Sequence, residues 1–166
     1  GWSGFRTTYS AGDTSPDGSQ LFLLGTASET NVNGSSIARQ TPALSAGVHT
    51  MSVFAKAGPT DTGLLAFRPN SNADFNDAVQ AWFDLETGTV AIVNSASGSS
   101  LITTPVASIE DFGGGVYRCA LTFTATGAVT CSARHYATDA AGALAATIGK
   151  QVQLWGAQLE AGPNPS

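Results

Sequence analysis

The chain has 166 residues, of which 42% are hydrophobic and only 11% charged, and its net charge is −5. So few Lys, Arg, Glu and Asp argue against a helical bundle, whereas 19 glycines favour short strands and many turns. The acidic balance disfavours nucleic acid and anionic membrane surfaces as partners, because both need clustered Lys and Arg, and no apolar run is long enough for a membrane span.

Short apolar or alternating runs, separated by turn residues, predict the strands of the fold. In chain order they occupy residues 21–24, 37–41, 49–56, 64–68, 79–85, 89–93, 117–124, 129–136 and 152–159. Residues 106–112 lead into the three glycines of residues 113–115. Residues 86–88 and 125–127 each form a three-residue loop that ends in glycine, which predicts two hairpins.

About nine strands at regular spacing, with no long amphipathic helix, indicate an all-β fold. We therefore expect residues 1–166 to form a single domain, an antiparallel β-sandwich of the jelly-roll type. The Ala-rich residues 138–147 fit a loop or one helical turn. Trp2 is expected to pack over one end of the sandwich. Trp155 shares its strand face with Leu159, so we expect it in the core or between the sheets.

The two cysteines, Cys119 and Cys131, fall on the two arms of the second predicted hairpin, both toward the core. With a three-residue loop they are diagonal neighbours about 7–8 Å apart, too far for a relaxed disulfide. A one-residue change in the turn would place them directly opposite each other. We favour free buried thiols, and the spacing does not match the Cys-x-x-Cys pattern typical of zinc sites.

Five segments of the chain carry motifs in a defined order. They are Pro-Asp-Gly at 16–18, Ser-Val-Phe-Ala-Lys-Ala-Gly at 52–58, Trp-Phe-Asp-Leu-Glu-Thr-Gly at 82–88, Gly-Gly-Val-Tyr-Arg-Cys at 114–119 and Leu-Trp-Gly-Ala-Gln-Leu-Glu-Ala-Gly at 154–162. Together they resemble a family of β-sandwich domains from bacteriophage virion proteins, similar to carbohydrate-binding modules. The chain departs from that family at Val116, where the family usually has Trp, and in its short C-terminal end.

The resemblance implies a jelly-roll sandwich attached to a phage tail or other virion protein, with a virion or extracellular location. It implies a glycan or polysaccharide as partner. The alternative is a structural or interaction domain that contacts other virion subunits and has no small-molecule ligand. The resemblance also implies a possible structural Ca²⁺, an ion that needs six to eight oxygens. The weak candidates for it are the carboxylates Asp17, Asp74, Asp77 and Glu160, whose alternative role is to cap turns.

A sugar site on a sandwich needs a flat aromatic ring that stacks on a pyranose, with polar groups nearby. Trp82 alternates with Gln80 and Asp84, and so lies on an outer sheet face if its neighbours Phe83 and Leu85 face the core. Apolar residues of the next strand would share that face across the hairpin. Trp82 is therefore either an exposed ligand platform or a packed side chain.

Most of the basic residues also take outward positions in their strands. If those strands are neighbours, their side chains converge on one sheet face, where Arg can form paired hydrogen bonds to a carboxylate or a diol. The alternative is a set of scattered, solvated cations. The predicted carbohydrate-binding residues are Trp82, Arg118, Lys56, Arg68, Gln80, Asp84, Arg134 and Tyr136.

Catalysis has little support in the sequence. His49 and His135 stand in different strands with no motif around them, and no Gly-x-Ser-x-Gly elbow occurs. Glu110 and Asp111 are adjacent in a predicted strand and would point to opposite faces. We therefore expect a non-catalytic carbohydrate-binding module rather than an enzyme.

Overall fold

The computed structural model describes residues 3–32, 35–60 and 63–163. This part of the chain forms thirteen β-strands and no helix. The strands are β1 (Ser3–Phe5), β2 (Thr7–Thr14), β3 (Leu21–Ala27), β4 (Ser35–Gln40), β5 (Ala43–Leu44), β6 (Gly47–Ala57), β7 (Leu64–Ser71), β8 (Val79–Asp84), β9 (Thr89–Ser95), β10 (Ile102–Asp111), β11 (Tyr117–Ala125), β12 (Val129–Ala137) and β13 (Gln151–Ala161). The described residues include no helix long and apolar enough to cross a membrane.

The strands form two antiparallel sheets. Sheet one has the order β1-β4-β12-β7-β8-β9, with β5 beside β12, and sheet two has the order β10-β11-β6-β13-β3-β2. The chain passes repeatedly from one sheet to the other, so strands that follow each other in sequence often lie in opposite sheets. The predicted all-β antiparallel sandwich is confirmed.

The core lies between the sheets, where alternate residues of the strands meet. In β6, Met51 and Val53 face inward, and Phe67 and Phe83 meet them from sheet one with ring centroids 4.8 Å apart. Burial of each such side chain stabilises the fold by about 1.5–3 kcal/mol. The alternation leaves the intervening residues on the outer faces of the two sheets.

The first predicted hairpin is confirmed and the second is wrong. β8 and β9 pair across residues 86–88, where Gly88 has a φ of 68°. β11 pairs with β10 and β6, whereas β12 pairs with β4, β5 and β7. The loop after β11 therefore crosses from sheet two to sheet one. A short loop between two alternating strands fits both arrangements, because each strand buries one face in either case.

This crossing places the two cysteines in different sheets. Cys119 in β11 and Cys131 in β12 are both buried in the core, and both are free. The prediction of free buried thiols is confirmed, although it rested on a hairpin that does not form. Burial raises the pKa of both thiols, that of Cys131 to about 12, so neither is a ready nucleophile near neutral pH.

A β-bulge in β13 sets the face on which Trp155 lies. The pairing of β13 with β6 shifts by one residue between Trp155 and Gln158, and Gly156 has the left-handed φ of 63° that such a bulge favours. Leu159 still packs on the core, whereas Trp155 lies opposite Phe54 on the outer face of sheet two. The expectation that Trp155 is a core residue is therefore wrong, because the bulge breaks the strict alternation on which it rested.

The strands that the sequence did not reveal are short or lie at sheet edges. β1 and β2 each end a sheet, and every residue of both is at least partly exposed. Their sequences have no alternation of apolar and polar residues, and neither face of β1 or β2 is fully covered. β5 has only two residues. Trp2, expected over one end of the sandwich, lies outside the described residues.

Candidate functional site on the outer sheet faces

The predicted binding residues are divided between two surfaces. Lys56 in β6 and Arg118 in β11 belong to sheet two. The others lie on the outer face of sheet one, and they are Arg68, Gln80, Trp82, Asp84, Arg134 and Tyr136. The expected convergence on one sheet face is wrong for the five residues to which it applied, namely Lys56, Arg68, Arg118, Arg134 and Tyr136. It depended on which strands are neighbours, and these strands belong to opposite sheets.

Trp82 lies on the outer face of sheet one, as expected, but it is not exposed. Only 1% of it is accessible, and it packs with Tyr136 and Ala66 beneath Ile92 and Leu144. Its indole Nε1 donates a hydrogen bond to the carbonyl of residue 143, at 2.8 Å. The loop of residues 138–150 therefore covers the ring, and the expectation of Trp82 as a stacking platform is wrong. The alternative, that Trp82 is a packed side chain covered by apolar residues such as Ile92, is confirmed.

Two other predicted residues of this face bind the protein itself. Asp84 Oδ1 accepts hydrogen bonds from the amides of Glu86 and Thr87, at 2.9 and 3.1 Å, and so caps the β8–β9 turn. Gln80 accepts a hydrogen bond from Arg68 and donates one to Asn94, at 3.0 Å. Both side chains are engaged in ordering the sheet surface.

An aromatic patch occupies the outer face of sheet two, and we define it as Phe54, Phe112 and Trp155. The Phe54 ring centroid lies 5.1 Å from that of Trp155 and 5.1 Å from that of Phe112. Trp155 and Phe54 are partly exposed, and Phe112 is 48% exposed. Three rings thus stand in contact on a sheet face that solvent reaches.

Polar side chains surround the aromatic patch. Arg118 lies directly across the strands from Phe54, with its guanidinium carbon 5.7 Å from the ring centroid. Gln20 accepts a hydrogen bond from Trp155 Nε1 at 3.4 Å. Lys56 forms an ion pair of 2.6 Å with Asp13, and its hydrogen bond is the main reason that the pKa of this carboxyl is lowered. The two predicted residues of sheet two, Lys56 and Arg118, therefore do flank an aromatic surface.

A cleft of about 250 Å³ opens beside the aromatic patch, where β13 leaves β3. Trp155 and Gly156 form one wall, and Leu23 and Leu154 contribute apolar surface. Trp155 is thus the residue that the aromatic patch and the cleft share. An aromatic ring, an apolar hollow and hydrogen-bonding groups at the rim are the components that a sugar site requires.

On the opposite sheet, three arginines occupy adjacent strands, and we call them the arginine row: Arg39, Arg134 and Arg68. Arg134 lies directly opposite Arg39 in β4 and directly opposite Arg68 in β7. Arg134 donates hydrogen bonds to Ser132 Oγ (2.8 Å) and to the Tyr136 hydroxyl (3.4 Å). Tyr136 is itself buried, and burial raises the pKa of its hydroxyl against the opposing effect of the three arginine charges.

The carboxylates considered for Ca²⁺ bind the chain itself. Asp17 accepts hydrogen bonds from Ser15 and Ser19 in the early turn. Asp74 accepts one from the amide of residue 76. Asp77 is 4% exposed and accepts hydrogen bonds from the amides of residues 100, 101 and 102. Glu160 lies in β13, and no three His, Cys, Asp or Glu residues in the described part of the chain cluster as metal ligands would.

Both histidines of the chain are turned into the protein. His135 has no accessible surface, and burial lowers its pKa to about 3. His49 is 4% exposed, and its Nε2 lies 2.9 Å from the carbonyl of Ser45. A histidine that acts on a substrate has to reach it directly or through one water, and neither of these faces an open surface.

Sequence reasoning missed the aromatic patch because it placed Trp155 in the core. Phe54 lies on the same side of its strand as Lys56, whose outward position was predicted. The signal for Trp155 was the glycine that follows it, since a glycine within a strand often marks a bulge. Phe112 comes just before the glycines of residues 113–115, which have φ values of 82°, 62° and 77°, and no sequence pattern placed its ring against Phe54.

Comparison with known proteins leaves the site to be judged on its own geometry. No protein-family model matches the chain. No curated protein matches it at a significant level.

Proposed function

We propose that this protein is a non-catalytic carbohydrate-binding domain that holds a glycan at the aromatic patch. The observation that carries the proposal is the exposed contact of Trp155, Phe54 and Phe112 on a rigid sheet face, with Arg118 and Gln20 at its edge. The apolar face of a pyranose would stack on an exposed ring, and its hydroxyls would hydrogen-bond the guanidinium and the amide.

The proposal includes a place in a phage tail or other virion protein, and therefore a virion or extracellular location. It rests on the motif resemblance, whose closing segment contains Trp155 and the bulge glycine Gly156. A jelly-roll topology is part of the same proposal, supported by the repeated passage of the chain between the two sheets. Each exposed site buries little ligand surface, so we expect weak binding per copy and tighter binding where copies repeat on one particle.

The first experiment is a broad glycan and polysaccharide panel, with and without EDTA. We expect saturable binding to one class of sugar, and loss of binding with EDTA would add a Ca²⁺ role. Trp155→Ala should weaken that binding about tenfold or more, because it removes the stacking surface. Its melting temperature should stay within a few degrees, since the ring is only partly buried.

The matched control is Phe5→Ala, which removes a 48% exposed ring from β1 in the other sheet. This variant should bind glycan as the wild type does. Equal binding by Trp155→Ala and the wild type would refute the aromatic patch as the sugar site. If the folded wild type binds no glycan of the panel, the carbohydrate-binding proposal is refuted.

A second candidate, an interaction domain without a small ligand, is favoured by the apolar exposure of sheet two. Val106 is 66% exposed and Phe112 48% exposed, and both belong to the side of the sandwich that carries the aromatic patch. Such a surface fits contact with another virion subunit. Two results together would support this second candidate. The protein would bind no glycan of the panel, and it would self-associate in a way that Phe112→Ala abolishes.

A further inference from the structure

We propose that the arginine row is a second ligand site, which binds the carboxylate or sulfate groups of an acidic oligosaccharide. It lies on the outer face of sheet one, so it is separate from the aromatic patch on sheet two. The two kinds of group share the oxyanion chemistry that a guanidinium recognises with two parallel hydrogen bonds.

The backbone register brings the three guanidinium groups together. Arg39, Arg134 and Arg68 are direct cross-strand partners in β4, β12 and β7, and neighbouring strands lie about 4.8 Å apart. The charges of all three act on the hydroxyl of Tyr136, which lies among them. The row is therefore one cluster of positive charge, in which Arg39 and Arg134 are partly exposed and Arg68 is buried.

The charges in this row have no acidic partner in the described chain. The two ion pairs there are Arg6–Glu29 and Lys56–Asp13, and neither involves the row. Like charges opposite each other in a sheet are destabilising, yet three of the chain's seven basic residues stand together although it has twelve acidic ones. A bound anion would remove that repulsion.

Arg68 is the buried member of the arginine row. It is 5% exposed, Phe75 stacks on its guanidinium with 4.0 Å from the ring centroid to the central carbon, and the Phe75 carbonyl accepts a hydrogen bond from Nη2 at 2.6 Å. Its Nε has no hydrogen-bond partner among the described residues. A buried guanidinium that has no acidic partner among the described residues is costly without a nearby counter-charge, which is the second observation that indicates an anion.

Arg39 and Arg134 supply the accessible donors. Both are partly exposed, and the described chain provides no hydrogen-bond acceptor for the Arg39 guanidinium. Phe75, 40% exposed, also lies within 5.7 Å of the central carbon of Arg134. Adjacent charges spaced by one strand, beside an exposed ring, fit acidic groups carried on successive sugars of a chain better than a single small ion.

The test is titration of the intact protein with an oligogalacturonate, a sulfated dextran oligosaccharide and neutral dextran. We expect the acidic probes to bind and neutral dextran not to bind at this site. Arg134→Gln and Arg39→Gln should each weaken acidic binding about tenfold, since each removes a charge-assisted pair of hydrogen bonds. Arg134→Lys should also bind the acidic probes weakly, because lysine keeps the positive charge but lacks the planar guanidinium that forms two parallel hydrogen bonds. Salt should weaken the interaction.

Arg6→Gln is the control, because it removes the same charge from a residue that pairs with Glu29 and belongs to neither the arginine row nor the aromatic patch; it should leave acidic binding unchanged. Thermal melting checks that every variant folds. Equal weakening by Arg6→Gln and Arg134→Gln would overturn the proposal, since the effect would then follow net charge alone. Absence of acidic binding would overturn it as well. Loss of neutral-glycan binding in Trp155→Ala reports on the aromatic patch separately, so the two proposals fail independently.

Discussion

At the scale of single residues, Asp77 shows how a carboxylate can serve the fold instead of a ligand. Its Oδ1 accepts hydrogen bonds from the amides of Ser100, Leu101 and Ile102, at 2.8, 3.0 and 3.2 Å. These contacts fix the turn that leads into β10. Because the side chain is 4% exposed, water cannot replace all of them when the carboxylate is removed.

We therefore expect Asp77→Ala to lower the free energy of unfolding by about 2–4 kcal/mol, since a buried amide that loses its acceptor keeps its desolvation penalty. Asp74→Ala is the matched control. Its carboxylate accepts a single hydrogen bond from an exposed amide, that of residue 76, so its loss should cost less than about 1 kcal/mol. Urea unfolding of both variants measures the difference. Equal effects would show that Asp77 does not hold this turn.

The sequence predicted outward positions for individual residues better than it predicted their exposure. Alternation placed Trp82, Arg68 and Tyr136 on an outer face, which is where they lie. All three are nevertheless buried, because the loop of residues 138–150 folds over Trp82 and Phe75 stacks on Arg68. Period-two alternation describes one strand, whereas exposure depends on distant segments that cross above it.

At the scale of elements, the bulge in β13 decides which aromatic ring solvent can reach. The extra residue lets Leu159 face the core while Trp155 faces outward. Deletion of Gly156 would restore strict alternation and force one of these side chains onto the wrong face. We expect that deletion to destabilise the protein by about 3 kcal/mol or more.

The substitution Gly156→Ala tests the backbone strain at the bulge without changing the pairing register of β13. The residue has a φ of 63°, and the site of a Cβ would meet only Phe54, at 3.6 Å, so the substitution should cost about 1–2 kcal/mol through the left-handed conformation alone. Thermal or urea unfolding compares the two variants. A deletion no more destabilising than Gly156→Ala would contradict a role of the bulge in setting the two faces.

The first hairpin prediction is right and the second is wrong, and the difference has a physical reason. The β8–β9 turn carries its own local signal, with Gly88 in the left-handed region and Asp84 capping the turn amides. The loop after β11 looks similar in sequence, but the choice between a hairpin and a crossing depends on which distant strands pair with β11 and β12. Those strands, β6 and β7, are far along the chain, and local turn chemistry carries no information about them.

At the scale of the whole molecule, fold class followed from composition and strand spacing, whereas the division of strands between sheets did not. This division separated Lys56 and Arg118 from Arg68 and Arg134. It left the aromatic patch on one outer face and, on the other, the arginine row, which forms no ion pair with the described residues. A sandwich with two such different faces could hold two different ligands at once, or two parts of one branched glycan, because neither site lies in the path of the other.

The core that separates these faces includes His135, whose burial makes the stability of the entire sandwich depend on pH in the acidic range. Its imidazole packs edge-on against Phe67, with ring centroids 4.5 Å apart and no accessible surface. Loss of solvation lowers its pKa in the folded protein to about 3, opposed by a hydrogen bond with the backbone of Ala38. In the unfolded chain the pKa is about 6.5.

Between these two values the unfolded chain binds a proton that the folded protein does not, so stability must fall as the pH falls below about 6.5. The expected slope reaches about 1.4 kcal/mol for each pH unit well below that value. The carboxylates with lowered pKa, Asp13 and Asp17, act in the same direction only below about pH 4, where their unfolded forms take up protons. Urea unfolding between about pH 4.5 and 7.5 therefore isolates the imidazole. His135→Phe, which fills the site without titrating, should flatten the profile in this range, and an unchanged slope in this variant would mean that the acid sensitivity arises elsewhere.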